Sequence, residues 1–531
     1  MATGTAARLA GLEGTVRPPR LLGASPLLVS RVAVTVLSFA LYAATLAPTV
    51  LWGGDDLARN QVWADTFHLQ GGSAGHPLWV LIAYPFTRLP FGDIAYRANL
   101  SSAVVSALAL LVVFSLIYDL TASLAGSWLG AAALGVSHTF WTYGVIPKVY
   151  ALDSLLLAGA MFCALRWENP GIGAGAGTRG RRGRRAAYLY ACAAIMGLGA
   201  SAHQLFVALA PAFLLYALVV ARRSAIASLI GPAIVYIALA ALAFVPLGAS
   251  DGSGSDAGTT GLAFIQQFLH VIVSPRSLLL GVGVLVALLV YQFLLTLGAV
   301  IPGGRALLRQ RPRVLALLAA IVLLDTAFVF AWIPGSPTLF DFANNFHFFL
   351  PTFMVGAILA GVGMADLWPR LAQPLAKIAA ALAVVLAPVA VYAAAPRLAR
   401  QEFARLGVRS LPGRDNATYL LSPWKHAERG ARPYGEGILR ALPPRATLLA
   451  DYSIYWVVRY LHDVEGRRPD VRLVELPSPP LLDRQLSVAL DEARRGRPLV
   501  IPDTNRYYNI AALRTAFRIV PDGPIYRLIR R

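Results

Sequence analysis

Cysteine, acidic residues and charge in general are scarce in this sequence. Its 531 residues include two cysteines, Cys163 and Cys192, and both lie in apolar runs, where a free cysteine usually acts as a small buried hydrophobe. The sequence therefore shows neither a disulfide framework nor a cysteine-based metal cluster. Charged residues make up only 14% of the chain, and 27 acidic residues are outnumbered by 47 basic ones.

Nucleotide-binding and nucleic-acid-binding patterns are also missing. The sequence contains no Walker loop, no dinucleotide-binding glycine pattern and no internal repeat. Its formal net charge of +20 comes mainly from short basic segments between apolar runs, without the interleaved aromatic residues that nucleic-acid binding favours. We therefore expect the lipid bilayer, and no nucleic acid, as a partner.

Long apolar runs are what the sequence has in abundance. Hydrophobic residues make up 57% of the chain and gather into runs of about 17 to 25, the length of a helix that crosses the hydrocarbon core. Eleven runs predict transmembrane helices near residues 32–50, 98–117, 122–137, 149–165, 187–200, 204–221, 225–248, 277–299, 314–333, 346–365 and 375–395. The shorter stretch 77–89 is expected to be re-entrant or interfacial.

The positions of arginine and lysine predict which way the chain crosses, because positively charged loops stay in the cytoplasm. With the N-terminal segment 1–31 inside, most basic residues of the membrane part fall on the cytoplasmic side. They include the glycine- and arginine-rich stretch 171–185, which we expect to be a flexible loop at anionic headgroups. An odd number of spans then places the chain after residue 395 outside a bacterial plasma (inner) membrane.

The last quarter of the chain has the composition of a small water-soluble domain. Strands are predicted near 447–451, 471–476 and 498–501, with helices near 453–462 and 481–494 between them. The predicted organisation is thus a cytoplasmic segment 1–31, a membrane core 32–395 and an extracytoplasmic α/β domain 396–531. Asp451 and Tyr452, at the end of the first strand, are the best candidates in this domain for contact with a ligand.

An acidic pair follows the first predicted span on the outer side. Two adjacent carboxylates at a membrane boundary, Asp55 and Asp56, are costly unless they are solvated, paired or bound to a cation. One could act as a base towards an acceptor hydroxyl while the other orients it or helps to hold a divalent metal ion. A solvated start of a loop explains the same pair without any chemistry.

Three further polar clusters fall on the same predicted side, where cations and histidines stand among aromatic residues. Lys148 could neutralise a lipid phosphate as a point charge. Polar groups surrounded by aromatic side chains suit a site for a sugar phosphate. An aromatic belt with a snorkelling lysine, or structural histidines, explain the same residues without a ligand. The candidate substrate-binding residues are Arg97, His76, His138, Lys148, Tyr150, His203, Asp341, Asn345 and His347.

Three motifs together with the acidic pair resemble one family. Residues 45–50 read TLAPTV, residues 89–100 read LPFGDIAYRANL, and residues 140–152 run from Phe-Trp to Val-Tyr-Ala-Leu. This pattern resembles the bacterial domain-of-unknown-function-2723 family, which is related to transmembrane-protein-260-like protein O-mannosyltransferases of the GT-C class. The resemblance covers residues 32–250 well and the remainder by layout.

The resemblance implies a membrane glycosyltransferase that moves a sugar, mannose being one option, from a polyprenyl-phosphate donor to an extracytoplasmic protein or glycan. The family's catalytic base falls on Asp55 or Asp56, with or without a metal. The sequence also departs from the family pattern: Asn60 stands near the place of a usual glutamate, His76 is displaced within its motif, and Lys148 replaces a glutamate. A changed donor, a changed acceptor or a lost activity each fits these departures.

Two other functions stay open beside this one. A flippase for a lipid-linked glycan would favour broken spans, repeated halves and ionisable residues at mid-membrane depth, whereas the acidic candidates here lie at the outer boundary. A non-catalytic scaffold of an envelope-assembly complex would tolerate changes to both aspartates. The preferred prediction is a GT-C-like polytopic helical enzyme of the cell envelope with about 11 transmembrane helices and a small α/β tail domain.

Overall fold

The computed structural model describes residues 25–69, 76–169, 178–221, 223–244, 274–332, 345–405, 409–478 and 481–531. Seven helices in these residues are long and apolar enough to cross a membrane: Pro26–Thr45, Ile94–Thr121, Tyr150–Glu168, Pro275–Gln310, Pro312–Trp332, Phe346–Arg370 and Pro374–Glu402. Shorter apolar helices are Pro77–Thr87, Leu124–Gly135, Leu205–Val220 and Ile226–Ala240, and Thr178–Ala202 is a further long helix. Every predicted span overlaps one of these helices, which confirms the polytopic helical fold.

The first span lies earlier in the chain than its hydrophobicity predicts. The helix runs from Pro26 to Thr45 and not from 32 to 50. The hydroxyl of Ser25 caps it by accepting a hydrogen bond from the Leu28 amide, and proline suits the first helical position. At the other end Leu46 is extended, and Pro48 follows in the sequence TLAPTV. The residue before a proline disfavours the helical conformation, so the apolar residues after Thr45 form the loop that leads to Asp56.

The arginine-rich stretch is partly helical, which corrects one prediction. Helix Thr178–Ala202 begins well inside the segment 171–185 that was expected to be a flexible loop. Arginine has a high helix propensity, and a helix can extend beyond the hydrocarbon when its first turns are basic. Residues 170–177 lie outside the described residues.

Small residues let two spans approach closely in the centre of the bundle. A Cβ on Gly130 would lie 2.8 Å from the Cα of Gly361, and a Cβ on Gly126 would lie 2.6 Å from the Gly361 carbonyl oxygen. Helices in lipid associate through such close backbone packing because hydrocarbon offers no hydrophobic drive between them. Helices Leu124–Gly135 and Phe346–Arg370 therefore form a rigid centre for the bundle.

One carboxyl group is buried inside the bundle. Asp325 of helix Pro312–Trp332 is fully buried, and its Oδ2 accepts hydrogen bonds from the amide and hydroxyl of Thr352 at 3.1 and 2.6 Å. The sequence suggests that the acidic candidates lie at the outer boundary of the membrane. Asp325 is an acidic residue that instead lies inside the bundle. Among the described residues, its hydrogen-bond partner is Thr352 of a neighbouring helix.

The tail domain is built on a five-stranded sheet, whose strands are β1 (Thr447–Asp451), β2 (Arg472–Leu476), β3 (Leu499–Ile501), β4 (Phe517–Asp522) and β5 (Ile525–Arg530). Their order in the sheet is β2-β1-β3-β5-β4. β1 pairs in parallel with β2 and β3, while β5 is antiparallel to β3 and β4. The helices of this part are Asn416–Leu421, Ala431–Ala441, Tyr452–Arg459, Gln485–Ala493 and Ile510–Ala516.

The sequence predicts the first three strands, whereas the final hairpin is an additional part of the sheet. Gly523 and Pro524 form the two-residue turn between β4 and β5, since Asp522 already pairs with Ile525, and Gly523 has a φ of 62°. Glycine at the first loop position is a signal of a two-residue hairpin, and Pro521 lies on the edge strand, where a missing amide hydrogen is tolerated. The α/β class of the tail is confirmed, and the sheet is larger than predicted.

The tail domain packs directly on one end of the helix bundle, called here the domain-facing end. The Gly53 amide donates to the Ser453 carbonyl at 3.0 Å, and the Lys425 amide donates to the Thr45 carbonyl at 2.8 Å. Trp63 of the short helix Leu57–Thr66 meets Trp456 edge to face, with ring centres 6.1 Å apart. One hydrophobic core therefore runs from the bundle into the tail.

Candidate active site

Asp56 stands at the centre of the domain-facing end. It closes the short 3₁₀ turn Gly54–Asp56 with a left-handed φ of 62°, immediately before helix Leu57–Thr66. Aspartate tolerates this conformation better than most residues, and such backbone strain is concentrated at functional sites. The side chain of Asp55 lies outside the described residues, so the site is built on Asp56.

Three side chains hold the carboxylate of Asp56. The guanidinium of Arg59, one helical turn further on, lies 3.0 Å from its Oδ2, and the ammonium of Lys148 lies 3.8 Å from the same oxygen. The hydroxyl of Tyr452, from the tail domain, donates to the Oδ1 atom. Lys148 is 3% exposed, whereas one third of the Asp56 side chain (33%) remains exposed. The carboxylate is thus fixed on one side and open on the other.

These neighbours decide the protonation state of Asp56. Burial alone raises the pKa of the carboxyl, but the charges of Lys148 and Arg59 and the hydrogen bond from Tyr452 outweigh it and lower the pKa to about 2. Asp56 is therefore ionised at neutral pH, and a hydroxyl that enters the open side meets a hydrogen-bond acceptor.

A polar network joins the loop of Asp56 to the loop of Lys148. The amide of Asn60 donates to the Pro147 carbonyl at 2.8 Å, directly before Lys148. The next residue, Gln61, donates to Asn99 at 2.9 Å, and Asn99 donates to the Ala47 carbonyl at 2.9 Å. All these side chains are buried. Asn60 thus anchors the loop that presents the lysine.

Lys148 leads into a cluster of rings, defined here as the histidine cluster: His76, Tyr150, His203 and His347. Tyr150 has its ring centre 5.7 Å from the Lys148 ammonium, 4.6 Å from the His347 ring and 5.6 Å from the His203 ring. The rings of His76 and His203 are 5.7 Å apart. The structure therefore brings five of the predicted substrate-binding residues together beside Asp56.

The histidines of the cluster have different partners. The Nδ1 of His76 lies 3.0 Å from the Ala202 carbonyl oxygen, so this nitrogen must carry the hydrogen. Burial, with a smaller contribution from His203, lowers the pKa of His76 to about 3, and its ring is neutral. His203 instead places its Nδ1 3.1 Å from the carboxylate of Asp153. Asp153 was not singled out in the sequence, although it follows Tyr150 by one helical turn.

Two polar groups on the buried side of the cluster lack a well-formed hydrogen bond to any residue that the structure describes. Within the described residues, Nδ1 of His347 has no hydrogen-bond partner, and the Asp153 carboxylate has none of good geometry. A cavity of about 10 Å³, lined in part by Tyr150, Asp153 and His347, lies between them. This space just admits one water-sized sphere, so the site has room for a single bridging water.

Other predicted residues lie elsewhere. Arg97 donates to the carbonyl oxygens of Leu89 and Asp93 in the turn before its own helix. His138 is enclosed by Tyr291, Phe346 and Tyr392. Burial, with help from the charge of Lys425, lowers the pKa of His138 to about 3. Neither residue has a described contact with Asp56 or Lys148.

The loop before helix Phe346–Arg370 is only partly described. Asn345 precedes the 3₁₀ turn Phe346–Phe349, and its carbonyl accepts from the Phe348 amide at 3.1 Å. Its neighbour His347 reaches the histidine cluster. Asp341 lies outside the described residues, so the predicted sugar-phosphate contact at that position stays a prediction.

The described surroundings of Asp56, which do not include the side chain of Asp55, hold no cluster of side chains that ligate divalent metal ions. Metal sites of this type need several oxygen or nitrogen donors around one point, and the described residues contain no group of three or more histidine, cysteine or acidic side chains so placed. Arg59 and Lys148 already supply positive charge to the Asp56 oxygen that a metal would use.

Comparison with known protein families supports the sequence resemblance. Residues 67–226 match the model of the protein O-mannosyl-transferase TMEM260 N-terminal domain. Over 95 residues the chain is 33% identical to protein O-mannosyl-transferase TMEM260 of Mus musculus. That segment is 18% of this chain and spans only 14% of the mouse protein. The resemblance is confirmed for this part of the chain.

Solved structures with the same architecture cover nearly the whole chain. ArnT from Cupriavidus metallidurans in the apo state aligns over 94% of this chain and 97% of its own, with a TM-score of 0.55 and 15% identity. Its undecaprenyl phosphate complex aligns equally well, over 95% and 98%. The archaeal oligosaccharyltransferase AglB from Archaeoglobus fulgidus, with an inhibitory peptide and a dolichol-phosphate, aligns over 94% and 74%, with a TM-score of 0.50 and 13% identity. The chain therefore has a GT-C-like fold.

Proposed function

We propose that this chain is a membrane glycosyltransferase that takes a sugar from a polyprenyl-phosphate donor and passes it to an acceptor hydroxyl, with Asp56 as the base. One observation carries the proposal: an ionised, partly open carboxylate lies 3.8 Å from a buried ammonium, that of Lys148. A transfer of this kind needs an acceptor for the incoming proton and a positive charge at the departing phosphate.

On the acceptor side, Asp56 orients the attacking hydroxyl. Arg59 and Tyr452 fix the carboxylate, so its open oxygen surface can accept a hydrogen bond from that hydroxyl. A carboxylate with a pKa of about 2 is a weak base, so it takes the proton late, after the new carbon–oxygen bond has made the hydroxyl strongly acidic. The bond from the sugar to the phosphate oxygen breaks, and the polyprenyl phosphate keeps the electron pair.

On the donor side, Lys148 stabilises the phosphate as it leaves. A buried ammonium is worth more to a developing negative charge than one in water, because little solvent screens it. His76 is neutral and so can only donate or accept hydrogen bonds. The Nδ1 of His203 lies 3.1 Å from the Asp153 carboxylate. Lys148 would thus supply a positive charge at the phosphate, and the histidine cluster would supply polar contacts.

The related proteins suggest a donor and an acceptor for the proposed reaction. ArnT was crystallised with undecaprenyl phosphate and AglB with dolichol-phosphate and a peptide, so a polyprenyl-phosphate sugar is our proposed donor. The match to protein O-mannosyl-transferase TMEM260 makes mannose the first sugar to try, with a protein or a glycan as acceptor.

The arginine distribution supports a location as well. We place the enzyme in the bacterial plasma (inner) membrane, with its N-terminus in the cytoplasm and the domain-facing end outside. The basic segment at Arg305, Arg309 and Arg313 and the N-terminal segment would lie inside under this orientation.

A donor panel tests the proposal. Membranes that contain the protein would be given radiolabelled polyprenyl-phosphate mannose, other polyprenyl-phosphate sugars, or the corresponding nucleotide sugars. We expect label to move to a membrane or envelope acceptor from at least one polyprenyl-phosphate sugar, and not directly from a nucleotide sugar. If no polyprenyl-phosphate sugar serves, the proposal fails, and movement of an intact lipid-linked glycan across proteoliposomes would identify a flippase instead.

A further inference from the structure

The most specific sequence motif, LPFGDIAYRANL at residues 89–100, has no role in the reaction proposed above. Its aspartate, Asp93, caps the next helix by accepting from the Ala95 amide at 2.7 Å. The same carboxylate accepts from the hydroxyls of Thr49 and Tyr460, each at 2.8 Å. It also pairs with the guanidinium of Arg432. Two of these four partners come from the tail domain.

Arg432 connects Asp93 to a second carboxylate. It lies in the first turn of helix Ala431–Ala441, and its Nη2 is 2.5 Å from the Oε1 atom of Glu465. Its Nε donates to the Thr49 hydroxyl at 2.6 Å. All three charged side chains are about four-fifths buried, with exposures of 22% for Arg432, 19% for Asp93 and 18% for Glu465. We name this set, Asp93, Arg432 and Glu465, the Asp93 latch.

A second contact between bundle and tail lies at Asp56. Burial and the Asp56 carboxylate raise the pKa of Tyr452 well above its usual range, so its hydroxyl keeps the hydrogen that it donates to Asp56. The backbone supports this bond, because the Gly53 amide donates to the Ser453 carbonyl at 3.0 Å. A Cβ on Gly53 would lie 2.7 Å from the Tyr452 carbonyl oxygen, so only glycine allows this approach.

One helix links the two contacts. Tyr452 begins helix Tyr452–Arg459 and touches Asp56, while Tyr460 directly follows that helix and touches Asp93. A helix of this length is about 12 Å long and does not bend easily. Tyr452 also follows β1, the strand between β2 and β3, so the sheet fixes its position. Movement at the latch must therefore be transmitted to Tyr452.

We propose that the tail domain completes the active site, with Tyr452 as a positioning residue for Asp56 and the Asp93 latch as the contact that keeps Tyr452 in reach. This inference rests on the proposed function. Without the Tyr452 hydroxyl, the Asp56 carboxylate is attracted only towards Arg59 and Lys148 and turns away from the acceptor. Without the latch, the domain shifts and the same bond is lost.

The test is a double-mutant cycle with Tyr452→Phe and Arg432→Gln in the full-length protein, read as kcat and KM for the polyprenyl-phosphate sugar that serves as donor. Tyr455→Phe is the matched control for the tyrosine, since its hydroxyl accepts from Arg459 on the same helix. Arg472→Gln is the control for the arginine, since Arg472 pairs with Glu492 within the tail domain.

We expect each single variant to lower kcat about tenfold, as the loss of one hydrogen bond to a charged group does, with the donor KM unchanged. The double variant should be no slower than the slower single variant, because both changes break the same contact. Both controls should keep wild-type kcat. Melting temperatures of the purified variants distinguish loss of position from loss of folding.

Three results would overturn the inference. The first is wild-type kcat in Tyr452→Phe. The second is a double variant whose loss is the product of the two single losses, which would mean that latch and tyrosine act independently. The third is a fall in kcat that follows melting temperature alone, in the controls as in the test variants. If the wild type transfers no sugar at all, the proposed function itself has failed, which is a different outcome from any of these.

Discussion

The structure allows us to work out how much kcat should fall when the charge on Lys148 is removed. Lys148→Gln keeps a polar side chain of nearly the same length and removes one buried positive charge. Two unit charges about 4 Å apart interact by about 4 kcal/mol at an effective dielectric constant of 20. The phosphate site opens to solvent beside Asp56, so the loss should be smaller, about 3 kcal/mol, which corresponds to a fall in kcat of about a hundredfold or more.

The assay is single-turnover transfer from a saturating polyprenyl-phosphate sugar, so that chemistry is separated from binding. Lys148→Arg keeps the charge and should recover part of the rate. Lys377→Gln is the matched control, because Lys377 lies in the first turn of helix Pro374–Arg405, at the opposite end from the tail domain. A Lys148→Gln rate within threefold of the wild type would refute the assignment of the leaving phosphate to this lysine.

Three further predictions concern the surroundings of the site. Asn60→Leu removes the bond to the Pro147 carbonyl and should lower transfer about tenfold through displacement of Lys148, as measured in the same assay; unchanged transfer would contradict the anchoring role. Transfer by the wild type should survive chelation by EDTA, because cations of the protein already neutralise Asp56; restoration of a lost activity by added Mg²⁺ or Mn²⁺ would contradict this. Burial lowers the pKa of Lys425 to about 7, below the ordinary value of about 10.4. Between these two pKa values the lysine is protonated in the unfolded chain and neutral in the folded one, so a rise in pH favours the folded state. The melting temperature should therefore rise with pH between about 7 and about 10.4. Lys425→Met should flatten the rise, and an equal slope in both proteins would show that another group is responsible.

The helical core could be predicted because it follows from composition. Apolar runs long enough to cross a bilayer are visible without any knowledge of packing, and each one overlaps a helix. The errors occur where local chemistry competes with hydrophobicity. Pro48 ends the first helix inside an apolar run, and the arginines from residue 178 onward continue a helix outside one.

Several residues of the candidate site could be predicted from the sequence, but the contacts between them could not. Asp56, Lys148, His76 and His203 stood out as polar groups near a membrane boundary, and the structure brings them together. The bond from Tyr452 to Asp56 joins residues 396 positions apart, and no local pattern predicts such a pairing. Arg59 could have been found, since a cation one helical turn after an aspartate is a common ion pair.

The pair of Asp93 and Arg432 shows the same limit. Asp93 was visible as part of a specific motif, but its partner is 339 residues away in the tail domain. Asp93 also satisfies a local need, the capping of its own helix, which is sufficient to explain an aspartate at that position. Its second role emerges only when the tail is folded against the bundle.

The central claim is that Asp56 is the base, and the most direct measurement compares sugar transfer by the wild type, Asp56→Asn and Asp65→Asn in the same membranes. Asp65 lies on the same helix and pairs with Arg88 at 2.8 Å, away from Lys148. The account predicts that Asp56→Asn loses at least about a hundredfold in kcat while Asp65→Asn keeps wild-type transfer. Wild-type transfer by Asp56→Asn would contradict the claim.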